Sequence, residues 1–125
     1  MSDSELCYLS ATEAVARFKR RELSPVELMR AVIARAEAVE PRVNAFANTY
    51  FDEALDRARR AETKYMKGRA RALEGLPLAV KDAIAIKGRI TTQGSLIYKD
   101  HIDDMTADEY VDRVRAGELY DPTLS

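Results

Sequence analysis

The sequence has little cysteine, glycine or proline: one cysteine (Cys7), five glycines, four prolines and no tryptophan among 125 residues. A single thiol excludes an intrachain disulfide and a cysteine-rich zinc site. No apolar run approaches the roughly 20 residues of a membrane-spanning helix, and the acidic N-terminus MSDSELCYLS lacks the regions of a signal peptide. Because 20 Lys and Arg face 21 Asp and Glu, the basic excess of a dedicated nucleic-acid binder is also missing. We therefore expect a cytoplasmic protein with neither nucleic-acid nor membrane partners.

The residues that are present predict a folded protein with several helices. Hydrophobic residues make up 46% of the chain and charged residues 33%, a balance typical of globular domains. The segments Ser10-Ala-Thr-Glu13 and Ser24-Pro-Val-Glu27 have the pattern of a capping box at a helix start. Because the residue before a proline disfavours helical geometry, Pro41 predicts that the second helix ends near Val39 or Glu40. The first helix has an apolar stripe of Ala14, Val15 and Phe18.

The middle of the chain predicts an extended connection and a third helix. Residues 44–50 (NAFANTY) are short and alternating, which favours a brief strand or an extended link. A helix is expected from about Phe51 to Lys67, with Gly68 as its terminator. Its predicted inner face consists of Ala54, Leu55, Ala58, Ala61, Glu62 and Tyr65.

The last third predicts short extended pieces and one more helix. Leu78 to Val80 is expected to form a buried strand that ends at Lys81. Thr106-Ala-Asp-Glu109 is a further capping box, and Gly117 is expected to end its helix. The inward side chains of that helix are predicted to be Tyr110, Val111 and Val114.

Lys81 is the strongest candidate for chemistry. A lysine at the end of a buried strand can have its ammonium desolvated, which lowers its pKa and makes it a usable base. The alternative, favoured by position alone, is a structural lysine paired with an acid.

The surrounding motifs resemble the amidase signature family. Leu76-Pro-Leu-Ala-Val-Lys-Asp82 follows Glu74-Gly75 and precedes Thr91-Thr-Gln-Gly-Ser95, as a G-φ-P-φ-A-φ-K-D strand precedes a T-x-G-S turn in that family. The segments Leu23-Ser-Pro-Val-Glu-Leu28 and Pro41-Arg-Val-Asn-Ala-Phe46 are similar to its N-terminal helices and N-A-F element. The resemblance covers about Leu9 to Arg115 and leaves a divergent tail at 116–125. We interpret residues 1–125 as the N-terminal part of an amidase-signature domain.

The resemblance implies an α/β fold, with N-terminal helices beside the first strands of an incomplete mixed sheet. It also implies hydrolysis of the C–N bond of linear amides by a Ser, cis-Ser, Lys triad, in which Lys81 matches the catalytic lysine. No cofactor or metal is expected.

The two serines of the triad have no counterpart motif in this sequence. After Lys81 only Ser95 and Ser125 occur, and neither lies in a Gly/Ser-rich segment with backbone donors for an oxyanion hole. We therefore expect the chain alone to be inactive, truncated before the catalytic serines. A premature end, a frame change and an excised segment are the three explanations open for the tail.

The acidic segment around His101 and the single cysteine are two weaker site candidates. Asp100-His101-Ile-Asp103-Asp104 could suit a divalent metal, but an exposed acidic loop is the favoured interpretation. Cys7 is expected to be inert near a flexible end.

The alternative function is a non-catalytic helical module, which binds a companion chain or another copy of itself through exposed apolar faces. An amide substrate is expected only if the missing segment completes the site.

Overall fold

The computed structural model describes residues 1–116, which divide into two compact units, Met1–Leu78 and the part of the second unit from Ala79 onward. The predicted terminator Gly117, Ser125 and all of the divergent tail beyond Ala116 lie outside the described residues. No helix within residues 1–116 is long and apolar enough to cross a membrane.

The first unit is built from four helices: α1 (Asp3–Cys7), α2 (Ala11–Arg20), α3 (Pro25–Val43) and α4 (Phe51–Met66). Helix α3 packs against both α1 and α4, and α2 contacts α4. The largest fully buried side chain is Phe18, whose ring lies 5.5 Å from that of Tyr65. The core cluster consists of Leu6, Ala14, Phe18, Leu23, Leu28 and Ala31.

The predicted helix starts in this unit are confirmed, with different capping partners from those expected. The Ser10 hydroxyl accepts the Glu13 N–H at 3.1 Å, but the Glu13 carboxylate pairs with Arg17 at 2.6 Å instead of returning to the cap. The Ser24 hydroxyl accepts the Val26 N–H at 3.0 Å and donates to Glu62 Oε1 at 2.5 Å. Ser24 therefore links the start of α3 to α4 as well as capping it.

The predicted end of α3 near Val39 or Glu40 is wrong. The helix continues through Pro41 to Val43, and Asn44 closes it in the left-handed region at φ 49°. The Asn44 N–H donates to the Glu40 carbonyl at 2.8 Å. Because Pro41 lies in the last turn, the N–H that it lacks costs one helical bond and the remaining turn still closes.

Helix α4 begins and ends where the sequence predicts, and every residue of its predicted inner face is buried or half-buried. Gly68 follows it at φ 65°. Residues 44–50 connect α3 to α4 and form no strand. Helix α1 was not predicted. Its start carries a full capping box between Ser2 and Glu5, the same pattern that marks the later helices.

The described part of the second unit contains turns, a single β-bridge and one short and one longer helix. Ile90 pairs with Ile102 in an antiparallel bridge. A 3₁₀ turn spans Leu96–Tyr98, and α5 spans Ala107–Arg115 behind the predicted Thr106–Glu109 capping box, which is confirmed.

Two predictions for the last third of the chain are wrong. Residues 78–80 form no strand, and Leu78 is 85% exposed. Tyr110, Val111 and Val114 are exposed rather than inward. A strand needs neighbouring strands to pair with and a layer to cover it, and the described residues supply neither. The α/β sheet is therefore not seen within residues 1–116, where the fold is helical.

Candidate functional site

Lys81 lies in a turn, with its side chain in solvent. The Ile84 N–H donates to the Lys81 carbonyl at 3.0 Å, which closes the turn. Within residues 1–116 the Lys81 ammonium forms no hydrogen bond or ion pair. The expected desolvated lysine is therefore not present in this arrangement, and neither is the alternative of a lysine paired with an acid.

Asp82, the next residue, accepts hydrogen bonds from Thr92 at its carboxylate and from Gln93 at its main-chain carbonyl. Its Oδ1 accepts the Thr92 N–H at 2.9 Å, its Oδ2 accepts the Thr92 hydroxyl, and its main-chain carbonyl accepts the Gln93 N–H at 3.0 Å. The Thr92 hydroxyl, then the Thr92 N–H, hold the pKa of Asp82 below its ordinary value because they bind the ionised carboxylate. Asp82 is thus an ionised acceptor at neutral pH.

The motif Thr92-Gln-Gly-Ser95 forms the turn that the sequence predicts. The Ser95 N–H donates to the Thr92 carbonyl at 2.9 Å. Both central residues, Gln93 and Gly94, have positive φ, at 52° and 72°, which is the pattern of a type I′ turn. The Ser95 hydroxyl accepts the Ile97 N–H at 3.2 Å and so caps the 3₁₀ turn. Ser95 has a local structural partner, and within residues 1–116 no hydrogen bond joins its hydroxyl to a basic side chain.

A second polar cluster lies beside the β-bridge and centres on Asp103. One carboxylate oxygen accepts the Thr91 hydroxyl, and the other lies 3.4 Å from His101 Nε2. Thr91 is 5% exposed. The main chain also pairs here, with Gly88 N–H to Asp103 O at 2.7 Å. The sequence interpretation missed Thr91, since a threonine in a turn-rich segment carries no periodic signal of burial.

The acidic cluster around His101 does not assemble a metal site in this arrangement. Asp100 is 83% exposed at its side chain and lies 3.8 Å from Lys99, whereas Asp103 faces Thr91. Among residues 1–116 no group of three or more histidine, cysteine or acidic side chains is placed to hold a metal ion. Asp103 is therefore a structural acceptor for Thr91.

Cys7 lies in a helix rather than near a flexible end. It is the last residue of α1, it is half-buried, and its Sγ donates to the Ala31 carbonyl of α3 at 3.5 Å. The capping box at Ser2 anchors this segment, which corrects the expected flexible end.

Comparison with known sequences identifies the family. A profile of the Amidase family matches residues 27–118. The chain belongs to the Amidase family. The matched region contains Lys81, Asp82 and the Thr92–Ser95 turn, and it confirms the resemblance inferred from the ordered motifs.

The curated relatives of this amidase chain include subunits of an amidotransferase. A glutamyl-tRNA(Gln) amidotransferase subunit from Geobacter metallireducens is 42% identical over 98 residues, which are 78% of this chain and 20% of that protein. The protein of the same name from Carboxydothermus hydrogenoformans is 34% identical over 117 residues, 93% of this chain and 24% of the relative. This amidase chain thus spans between a fifth and a quarter of the length of these two relatives.

Proposed function

We propose that this chain supplies the lysine-bearing segment of an amidase that hydrolyses the C–N bond of a linear amide. The observation that carries the proposal is the family match over residues 27–118, which includes the Leu76–Asp82 motif. Further support comes from relatives that are named as amidotransferase subunits. The substrate class is an amide.

Lys81 is the proposed base of a Ser, cis-Ser, Lys triad. A serine hydroxyl is a weak nucleophile until a neighbouring base removes its proton. In the proposed step, the neutral Lys81 amine takes the proton of a bridging serine, which in turn takes the proton of the nucleophilic serine as that oxygen bonds to the amide carbon. An amine acts this way only when its pKa is lowered by burial or by a nearby cation.

The described geometry agrees with an inactive isolated chain. Lys81 is exposed, so nothing within residues 1–116 desolvates its ammonium. The Ser95 hydroxyl accepts the Ile97 N–H, and among the described residues it forms no hydrogen bond with a basic side chain. We expect the site to form only when another part of an amidase domain covers Lys81 and brings two serines to it.

A companion chain is the second proposal, and exposed apolar side chains in the described part of the second unit favour it. The consecutive residues Leu96 and Ile97 are both 87% exposed. Exposed apolar surface can mark an interaction site or an aggregation hazard. The relatives are named as subunits of an amidotransferase, which supports a companion chain over self-association. A monomeric chain that does not bind a dye for exposed apolar surface would contradict this second proposal.

The cytoplasmic location and the absence of nucleic-acid and membrane partners stay predictions.

The role of Lys81 can be tested in a chimera. The 98 residues aligned with the Geobacter metallireducens relative would replace the corresponding segment of that protein, and amide hydrolysis would be measured. Lys81→Ala should lower kcat by at least about a thousandfold, the order of a lost triad member. Lys99→Ala is the matched control, because Lys99 is an exposed lysine of the same unit. Equal activity of the two variants would contradict the proposal. With the chain alone, amide turnover that disappears in Lys81→Ala would contradict its expected inactivity.

A further inference from the structure

Asp82, the residue after Lys81, accepts hydrogen bonds at both its side chain and its main chain from the turn that begins at Thr92. The Asp82 carboxylate accepts both the N–H and the hydroxyl of Thr92. The Asp82 carbonyl accepts the Gln93 N–H at 3.0 Å. Three hydrogen bonds therefore fix the position and the orientation of the Asp82 peptide.

The turn that receives Asp82 has its own internal hydrogen bonds. The Thr92 hydroxyl donates to Asp82 and also accepts the Gly94 N–H at 3.2 Å, while the Thr92 carbonyl accepts the Ser95 N–H at 2.9 Å. Gly94 at φ 72° adopts a conformation that most residues avoid. The turn therefore has a defined conformation, which its internal hydrogen bonds stabilise.

Lys81 directly precedes the residue that this turn binds. Its carbonyl is bound by the Ile84 N–H at 3.0 Å, and its neighbour Asp82 is bound by Thr92. Its side chain, by contrast, is exposed and forms no hydrogen bond or ion pair within the described residues. The backbone around Lys81 is therefore held by its own turn and, at the next residue, by the hydrogen bonds between Asp82 and Thr92.

We propose that Asp82 is a positioning residue for Lys81, which it holds in place by binding the N–H and hydroxyl of Thr92. This inference rests on the proposed function for its catalytic meaning, because a positioned lysine matters to chemistry only if Lys81 is the base. The ordering of the segment itself can be measured without any activity.

The first experiment uses nuclear magnetic resonance on the full chain. Amide hydrogen exchange of Thr92 and Gln93, and the backbone order parameter of Lys81, would be compared in wild type, Asp82→Ala and Asp100→Ala. Asp82→Ala should speed exchange at Thr92 by about tenfold, the order expected for a lost charged hydrogen bond, and lower the Lys81 order parameter from about 0.85 towards 0.6. Asp100→Ala removes a carboxylate that is 83% exposed and should change neither quantity.

A second pair of variants tests the same contact from the Thr92 side. Thr92→Val keeps the shape and the N–H but removes the hydroxyl, and it should lower the Lys81 order parameter as Asp82→Ala does. Thr92→Ser retains a hydroxyl and should restore the wild-type value. An unchanged Lys81 order parameter in both Asp82→Ala and Thr92→Val would overturn the positioning role, even if exchange at Thr92 became faster.

The third measurement separates this inference from the proposed function. In the chimera, Asp82→Ala should lower kcat with little change in KM, and Thr92→Ser should retain more activity than Thr92→Val. If Lys81→Ala leaves the chimera fully active, the proposed function fails whatever Asp82 does. If Lys81→Ala is inactive but Asp82→Ala has wild-type kcat, only the positioning role fails.

Discussion

The two units of this chain are stabilised by different kinds of contact. The hydrophobic residues that are buried within residues 1–116 all belong to the Met1–Leu78 unit: Leu6, Ala14, Phe18, Leu23, Leu28, Ala31, Ile33, Ala58 and Ala61. In the described part of the second unit the buried residue is Thr91, and hydrogen bonds of Asp82 and Asp103 hold the turns together. The first unit has an apolar core, whereas the described part of the second unit has no buried hydrophobic residue and relies on hydrogen-bonded turns.

This difference has a consequence for function. The proposed catalytic lysine lies in the unit whose described residues include no buried hydrophobic side chain, and Lys81 itself is exposed. The helical unit, in contrast, buries a hydrophobic core of its own, although Leu73 and Leu78 remain 73% and 85% exposed.

The largest expected effect comes from removing the centre of the apolar core. Phe18→Ala should lower the free energy of unfolding by about 3–5 kcal/mol, the usual cost of deleting a buried aromatic ring, because Phe18 is 1% exposed and contacts Tyr65. Urea denaturation followed by the helical circular dichroism signal would measure it.

The matched substitution in the second unit is Leu96→Ser. Leu96 is 87% exposed, so its replacement should change the free energy of unfolding by less than about 0.5 kcal/mol. If Leu96→Ser costs as much as Phe18→Ala, the contrast between a packed and an unpacked unit is wrong.

The next effect concerns a glycine at which the helices meet the segment leading to Lys81. Gly75 has φ 84°, and an added Cβ would lie 2.9 Å from Pro25 Cβ and Cγ. Gly75→Ala should therefore lower the free energy of unfolding through two costs. Overpacking contributes about 1–3 kcal/mol, and backbone strain contributes about 1 kcal/mol. Thermal unfolding of the variant and the wild type would measure it.

Gly68→Ala is the control for backbone strain alone. Gly68 also has positive φ, at 65°, but nothing lies within 4 Å of its added Cβ. Gly68→Ala should therefore lower the free energy of unfolding only by the cost of backbone strain, about 1 kcal/mol. Equal losses at Gly68 and Gly75 would show that the close approach to Pro25 contributes nothing to stability.

The sequence predicts the helical unit well because its signals are local. Ser10 and Ser24 each cap the helix that follows, and a cap depends only on residues two or three positions away. The continuation of α3 through Pro41 shows where a local rule fails, since the cost of a proline depends on how many turns follow it.

The sequence motif includes Lys81 as the candidate residue, but the surroundings that it predicts for Lys81 differ from those in the structure. The motif located Lys81 and the Thr92–Ser95 turn. The strand at 78–80 was wrong because strand formation depends on partners distant in sequence, and no local pattern reports whether they are present. The Asp82–Thr92 and Thr91–Asp103 hydrogen bonds join residues ten and twelve positions apart, beyond the reach of capping rules.

The smallest effect is a pH dependence at a polar contact within the helical unit. Glu74 is bound by Arg71 at 2.7 Å and by Lys64 at 3.0 Å, and these cations, Arg71 first, lower its pKa from 4.5 to about 2. Because the folded state binds the proton more weakly than the unfolded state, the stabilisation is fully present above about pH 4.5 and is lost as the pH falls towards 2. Since Arg71 is 79% exposed and Lys64 41%, solvent limits the contribution to about 1 kcal/mol or less.

The measurement is the difference in unfolding free energy between wild type and Glu74→Gln, by urea denaturation at a series of pH values. That difference should be largest at neutral pH and should shrink between pH 4.5 and pH 2.5, the range set by the two pKa values. Glu37→Gln changes an exposed carboxyl on α3 and should give no such trend. A constant difference for Glu74→Gln would mean that its charge does not stabilise the fold. The helical unit would then owe its stability to apolar packing and hydrogen bonds independent of that charge, and the contrast with the polar second unit would be sharper than the structure indicates.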